Sequence, residues 1–347
     1  MSSNNRMFQL QDRSRTEEVY EHYNIIVDPG QQPMRIDKFL MGRIVNVSRN
    51  IIQSAVQNGN VLVNGSPVKN NYKIKPKDEI KINFSTPPRE VEIIPQDIPI
   101  NIVYEDDDII VVNKEAGIVV HPGYNNYDGT LLNALCYHLS KDDLSNPIVP
   151  YLVHRIDKDT SGILLVSKKE RTQTLLAKQF FHHTIERKYI ALVWGNFEEN
   201  SGTIDVNVGR SAKDRRVMTI FPEGDYGKHA VTHYKVLERF GYVSVIECQL
   251  ETGRTHQIRT HMKSIGHPLF NDATYGGNSI IKGTTFSKYK QFVENCFKLI
   301  PRQALHAKSL GFTHPITKEY MFFESELPED LNAVIEKWRL YSANQKL

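Results

Sequence analysis

The run Leu152-Val-His-Arg-Ile-Asp-Lys-Asp-Thr-Ser-Gly-Ile-Leu-Leu-Val166 constrains this chain more than any other stretch. Its first half is a short polar turn carrying Arg155, Asp157 and Asp159. Its second half, Ile163 to Val166, is apolar without a break and reads as a buried strand. A carboxylate hung on so stiff a support can be aimed, and aim is what a catalytic group requires.

At 347 residues the chain has room for two or three domains and a sizeable core. Its net charge of +3 is unevenly spread. Between Gln31 and Phe84 nine Lys and Arg face three acids, so that segment carries +6 and the remainder −3. A small basic module on a near-neutral body suggests a polyanion partner, although a solvated lysine-rich surface would have the same charge. Three scattered cysteines, Cys136, Cys248 and Cys296, suit a reducing compartment and argue against a disulfide framework or a structural zinc site. The start lacks a basic-then-apolar leader pattern, and no apolar run approaches bilayer length. The expected location is the cytoplasm.

Residues 1–30 are polar and weakly patterned and are expected to form a loose arm. Ile36, Phe39, Leu40 and Ile44 then fall on one helical face, and Ser48 can cap a second helix that buries Ile52, Ala55 and Val56. Asn64-Gly65 between Val61 and Val68 marks a hairpin. Ser85-Thr-Pro-Pro-Arg-Glu90 reads as a linker, which leaves 31–84 as the basic module and 91–347 as the body. Within the body, Ile109–Lys114, Lys188–Trp194, His229–Leu237, Val243–Leu250 and Ala307–Phe312 read as strands. The segment from Glu251 begins as a turn and enters a helix, and Leu331, Val334, Ile335 and Trp338 define a structural C-terminal helix.

Asp157 taken alone is better explained as a turn aspartate that caps a helix or bonds its own backbone. Two cationic neighbours, Arg155 and Lys158, and the dry strand that follows favour a functional role. Were the segment extended, Asp157 and Asp159 would share a face roughly 7 Å apart, the pairing of a glycosidase. His154-Arg155 before an aspartate is also a kinase-like fragment, but Ile156 intervenes and no Gly-rich phosphate loop exists. His256 and His261 are five apart. His229 and His233 are four apart, in a strand-like stretch expected to have no acid nearby. No metal site is expected.

The motifs together say more. His154 to Lys168 closely resembles the signature of the RluA-type pseudouridine synthases. Glu186-Arg-Lys-Tyr189 is similar to that family's tyrosine motif, Gly253-Arg-Thr-His-Gln-Ile-Arg259 to its arginine motif, and Asn113 to Pro122 to its opening strand. Asn271 to Gly277 and Gln303 to Lys308 continue the match over about residues 95–325, with Glu115 departing from a usual proline. Arg35-Ile-Asp-Lys-Phe-Leu40, Ser48-Arg49 and Gly59 to Gly65 resemble the S-four RNA-binding module that often precedes such a body.

The resemblance implies an α+β fold: a mixed, mainly antiparallel sheet as catalytic core behind a small α/β RNA-binding head. It implies isomerisation of uridine to pseudouridine in structured RNA, without cofactor or metal. Large-subunit (23S) ribosomal RNA is the expected substrate, with transfer RNA as the alternative and a non-catalytic RNA-binding assembly factor as a rival of another class. Asp157 would attack the sugar, Tyr189 would stack on the uracil and could act as a base, and Arg259 would pair with Asp157. Arg155 would brace the vacated base stack, while Arg254 and His256, with Arg35, Lys38, Arg49 and Lys69 of the head, would contact RNA. A monomer is expected.

Overall fold

The computed structural model describes residues 20–27, 29, 31, 33–43, 49–84, 93–123, 126–211, 214 and 217–345. The first part of the expected arm (1–19), Ile44, the Ser48 cap and the 85–90 linker lie outside the described residues. The chain divides into two compact units, Met1–Val91 and Glu92–Leu347.

In the smaller unit two helices, Ile36–Arg43 and Arg49–Gln57, pack on a four-stranded sheet. Ile36, Phe39, Leu40, Ile52, Ala55 and Val56 from the helices meet Val61, Val63, Ile80 and Ile82 from the strands. The hairpin turns at Asn64 (φ 50°) and Gly65 (φ 80°), both left-handed, as a two-residue turn that matches strand twist demands. The arm expectation is corrected here. Tyr20–Ile26 is a strand, paired antiparallel with Glu79–Phe84. Only its last two residues are aliphatic, and the hydrogen bonds that hold it come from a partner more than fifty residues away, which local patterning does not reveal.

The larger unit is built on a ten-stranded sheet. Its strand order runs Ser201–Asp205, Val231–Arg239, Val243–Leu250, Glu186–Trp194, Leu305–Thr313, Ser161–Ser167, Ile109–Lys114, Ile102–Glu105. Tyr320–Glu324 adds to Leu305–Thr313, and Tyr151–Leu152 to Ser161–Ser167. All pairings are antiparallel except one, between Leu305–Thr313 and Ser161–Ser167, so the sheet is mixed and mainly antiparallel. Ser161–Ser167 is buried along its whole length, as its apolar run requires. Leu164 and Val166 point into one core cluster and Ile163 and Leu165 into another, the alternation expected of a strand covered on both faces. The C-terminal helix Glu329–Gln345 buries Leu331, Val334, Ile335 and Trp338 against a third cluster.

The parallel seam depends on Gly162. Its φ is +115°, and a Cβ there would lie 2.1 Å from the Ala307 carbonyl oxygen. Only glycine accepts both the backbone angle and the approach. Gly162→Ala is expected to destabilise the unit by roughly 2–4 kcal/mol, read as a lower urea midpoint.

Candidate active site

A cavity of about 590 Å³ opens where the Asp157 turn, the strand Glu186–Trp194 and the segment 250–259 converge. Asp157 stands just before Ser161–Ser167. Lys158 and Asp159 form a turn closed by the Thr160 amide donating to the Asp157 carbonyl (3.1 Å). Two buried cations grip this turn from behind. Lys114 Nζ donates to the carbonyls of Lys158 (2.9 Å), Ile118 (2.9 Å) and Glu115 (2.6 Å). Burial draws its pKa down to about 8, against the attraction of Asp159. Arg302 donates from Nη1 to the Asp159 carbonyl (3.0 Å) and from Nε to Asp330 (2.7 Å). His154 accepts the Leu165 amide at Nε2 (3.0 Å), and burial depresses its pKa to about 3, so it stays neutral.

The Asp157 carboxylate, 23% exposed, lies 3.0 Å from Arg259 Nη1. Arg259 sits in the helix Gln257–Ser264, which follows the strand Val243–Leu250 and so returns to the head of the same sheet. Its other face is taken by Asp272, fully buried, which accepts Nε (2.7 Å) and Nη2 (2.9 Å) in a forked pair. Burial disfavours the charge on Arg259, but Asp272 and then Asp157 outweigh it and raise the pKa above its ordinary value. The Tyr275 ring lies 5.0 Å from the guanidinium carbon.

Tyr189, on the strand Glu186–Trp194, lines the same cavity and is buried; burial pushes its phenol upward, with Arg187 opposing. The structure therefore brings Asp157, Tyr189 and Arg259 to one place. His256 also lies there. Its Nδ1 shares a hydrogen bond with the Tyr275 hydroxyl (2.9 Å), and its Nε2 is 3.9 Å from Asp157. Burial lowers its pKa, with Asp157 pulling the other way. Arg155 is exposed on the cavity wall, and Arg254, also on the wall, donates from Nε to the His229 carbonyl (2.9 Å).

Asp159 does not line the cavity, because the chain turns at Lys158-Asp159, so the paired carboxylates considered for an extended segment do not arise. One expectation is corrected. His229 and His233 do have acids beside them, Asp205 (2.7 Å) and Glu251 (2.7 Å), both supplied from other segments of the chain. Among the described residues no cluster of three or more His, Cys, Asp and Glu is placed to hold a metal ion, and no helix is long and apolar enough to cross a membrane.

In the smaller unit Arg35 and Arg49 are not independent cations. Both bind the buried carboxylate of Asp37, Arg35 through Nε (3.0 Å) and Nη2 (2.9 Å) and Arg49 through Nη2 (2.9 Å), while each stays more than 40% exposed. The hydrogen bond from Arg35 is the main cause that holds the Asp37 carboxyl far below the usual range. Lys38 and Lys69 are exposed. Sequence reasoning assigned no part to Asp37, Asp272, Lys114 or Arg302. Asp272 stood inside a quoted motif, Asn271 to Gly277, and that was its one signal.

A family profile described as RNA pseudouridylate synthase matches residues 108–264, and one for the S4 domain matches residues 34–80. An uncharacterized RNA pseudouridine synthase of Chlorobaculum parvum is 49% identical over 89% of this chain and 95% of its own length. The chain belongs to the RNA pseudouridine synthases. The synthase is also 40% identical to the ribosomal large subunit pseudouridine synthase D of Zymomonas mobilis, over 89% of this chain and 95% of that one. Its fold is similar to the solved structure of human RNA pseudouridylate synthase domain containing 1, with a TM-score of 0.50 and 28% identity over 71% of this chain and 89% of that one. As an RNA-modifying enzyme with an RNA-binding domain, it takes RNA as substrate.

Asp272→Asn keeps the shape of the Arg259 clamp and removes its charge. The expected result is a fall of about tenfold or more in the rate of pseudouridine formation, measured by nucleoside chromatography of digested RNA.

Proposed function

We propose that the synthase isomerises uridines of large-subunit (23S) ribosomal RNA, with Asp157 as the attacking group. The observation that carries this reading is the Asp157 carboxylate held 3.0 Å from a buried arginine, in a cavity that also contains Tyr189. The ribosomal substrate is supported by the name of the Zymomonas mobilis relative and by the +6 charge of residues 31–84.

In this reaction a target uridine leaves its stack and enters the cavity. Asp157, paired with Arg259 at 3.0 Å, acts at the sugar as the C1′–N1 bond breaks. Tyr189 stacks on the uracil while the base turns, and C5 rejoins C1′. With the uridine filling the cavity, its walls keep water from intercepting the sugar. Arg155, exposed beside Asp157, braces the gap left in the RNA, and Arg254 meets a phosphate. His256 stands too close to Asp157 to serve mainly at a phosphate; in this reading it shapes the field around the carboxylate. No metal or cofactor takes part.

Residues 31–84 form the RNA-gripping head, with Arg35 and Arg49 set by Asp37 and joined by Lys38 and Lys69. Residues 85–90 link it to the catalytic body at 91–347. The synthase works as a monomer in the cytoplasm.

Asp157→Asn should abolish pseudouridine formation while RNA affinity stays within about twofold of wild type, since only one partly exposed charge is removed. Near-normal turnover of that variant would discard Asp157 as the attacking group. Mass spectrometry of the wild-type product should show RNA of unchanged mass; released uracil would indicate a hydrolase instead.

A further inference from the structure

The cavity is lined by four arginines, Arg155, Arg187, Arg254 and Arg259, and by a single carboxylate, Asp157, which Arg259 already occupies. Arg187 is the anomaly among them. Its exposure is only 6%, yet among the described residues no carboxylate pairs with it. Nη2 donates to the carbonyls of Glu251 (3.0 Å) and Leu250 (3.4 Å), while among the described residues buried Nε has no hydrogen-bond partner and Nη1 takes none. A buried guanidinium without a counter-charge costs several kcal/mol, and a fold keeps one where an anion will arrive.

Its position says which anion. Arg187 and Tyr189 are two apart on one strand, so both side chains project from the same face, about 7 Å apart along it. The guanidinium lies 5.2 Å from the Phe180 ring centroid, and Gly253 makes room for it: a Cβ there would sit 2.8 Å from Nη1. The charge is thus fixed in place beside the tyrosine on which the base is proposed to stack, and it lies deeper than the exposed Arg155.

We propose that Arg187 is a catalytic residue that stabilises the negative charge on the uracil once it is detached from the sugar. This rests on the uridine-isomerising reading above. When the C1′–N1 bond breaks, its electron pair leaves with the base, and uracil becomes an anion whose charge is shared by N1, O2 and O4. Arg187 Nη1 donates a hydrogen bond to a carbonyl oxygen of that anion, and no proton is transferred. When C5 bonds to C1′ that pair becomes the new C5–C1′ bond and leaves the ring neutral; C5 then loses its proton and N1 gains one. The same charge develops whether Asp157 attacks C1′ directly or removes a sugar proton.

The test compares wild type, Arg187→Met and Arg187→Lys on a ribosomal RNA transcript carrying a mapped target, prepared with uridine or with 5-fluorouridine. Arg187→Met is expected to slow single-turnover conversion about a hundredfold, the scale of losing one pre-aimed donor, with Kd for the RNA within about twofold. Lysine should restore part of the rate. On 5-fluorouridine, whose anion is more stable, the deficit relative to wild type should shrink. A deficit of equal size on both substrates would mark a structural lesion and overturn the proposal. So would a weakened Kd with a salt slope smaller by about one and an unchanged single-turnover rate, which is the behaviour of a phosphate contact. Should Arg187→Met fail to fold, Gly253→Ala, which intrudes on Nη1 from the facing loop, is read on the same two substrates with the same outcomes. Wild-type conversion of uridine in this assay tests the underlying reading, whereas the variant-to-wild-type ratios test only the guanidinium.

Discussion

The ion pair between Asp157 and Arg259, with Asp272 behind it, is the interaction on which the rest of the site depends. A lone carboxylate in a half-dry cavity would tend to take up a proton, and a lone buried guanidinium would be costly. Asp272 resolves the second problem by accepting two N–H groups at 2.7 and 2.9 Å, which leaves Nη1 aimed at Asp157. The clamp works because its two ends are carried on different parts of one sheet. Asp157 precedes the strand at the parallel seam, and Arg259 lies on the helix that follows Val243–Leu250. Gly162 makes that seam possible, so a backbone constraint in the sheet and an electrostatic one in the cavity are linked through five residues of chain.

The turn itself is held by charge as well. Lys114 and Arg302 bind consecutive carbonyls, those of Lys158 and Asp159. The aspartate beside them is thereby fixed without any contact to its carboxylate, which stays available to Arg259. The smaller unit uses the opposite arrangement, in which one buried carboxylate, Asp37, sets two exposed arginines. Preorganised guanidinium groups lose less side-chain entropy on meeting an anion, which suits an S4 RNA-binding module.

Much of this was legible in the sequence, and the limits follow from where information lies along the chain. Ser161–Ser167 and the C-terminal helix were readable because burial periodicity is local. The Asn64-Gly65 hairpin was readable because two left-handed residues in sequence leave few alternatives. Tyr20–Ile26 was missed because its partner strand is remote. The Asp157–Arg259 contact spans 102 positions and was expected only through resemblance to a family. The acids beside His229 and His233 come from other segments, so spacing alone misjudged them. Whether Asp159 stood beside Asp157 depended on an extended geometry that the sequence left open, and Lys158-Asp159 in fact turns. Arg187 stood inside the quoted Glu186–Tyr189 motif but was given no role, since an arginine in a strand is ordinary until its lack of a carboxylate partner can be seen.

The most direct measurement of the central claim is a crystal structure of the Asp157→Asn variant bound to a target RNA stem-loop. The predicted result is a uridine everted into the cavity, its ring against Tyr189 and its C1′ about 3–3.5 Å from the side chain at position 157, the spacing of a reactive encounter. A uridine still stacked in the RNA, or bound with its C1′ far from that side chain, would contradict it.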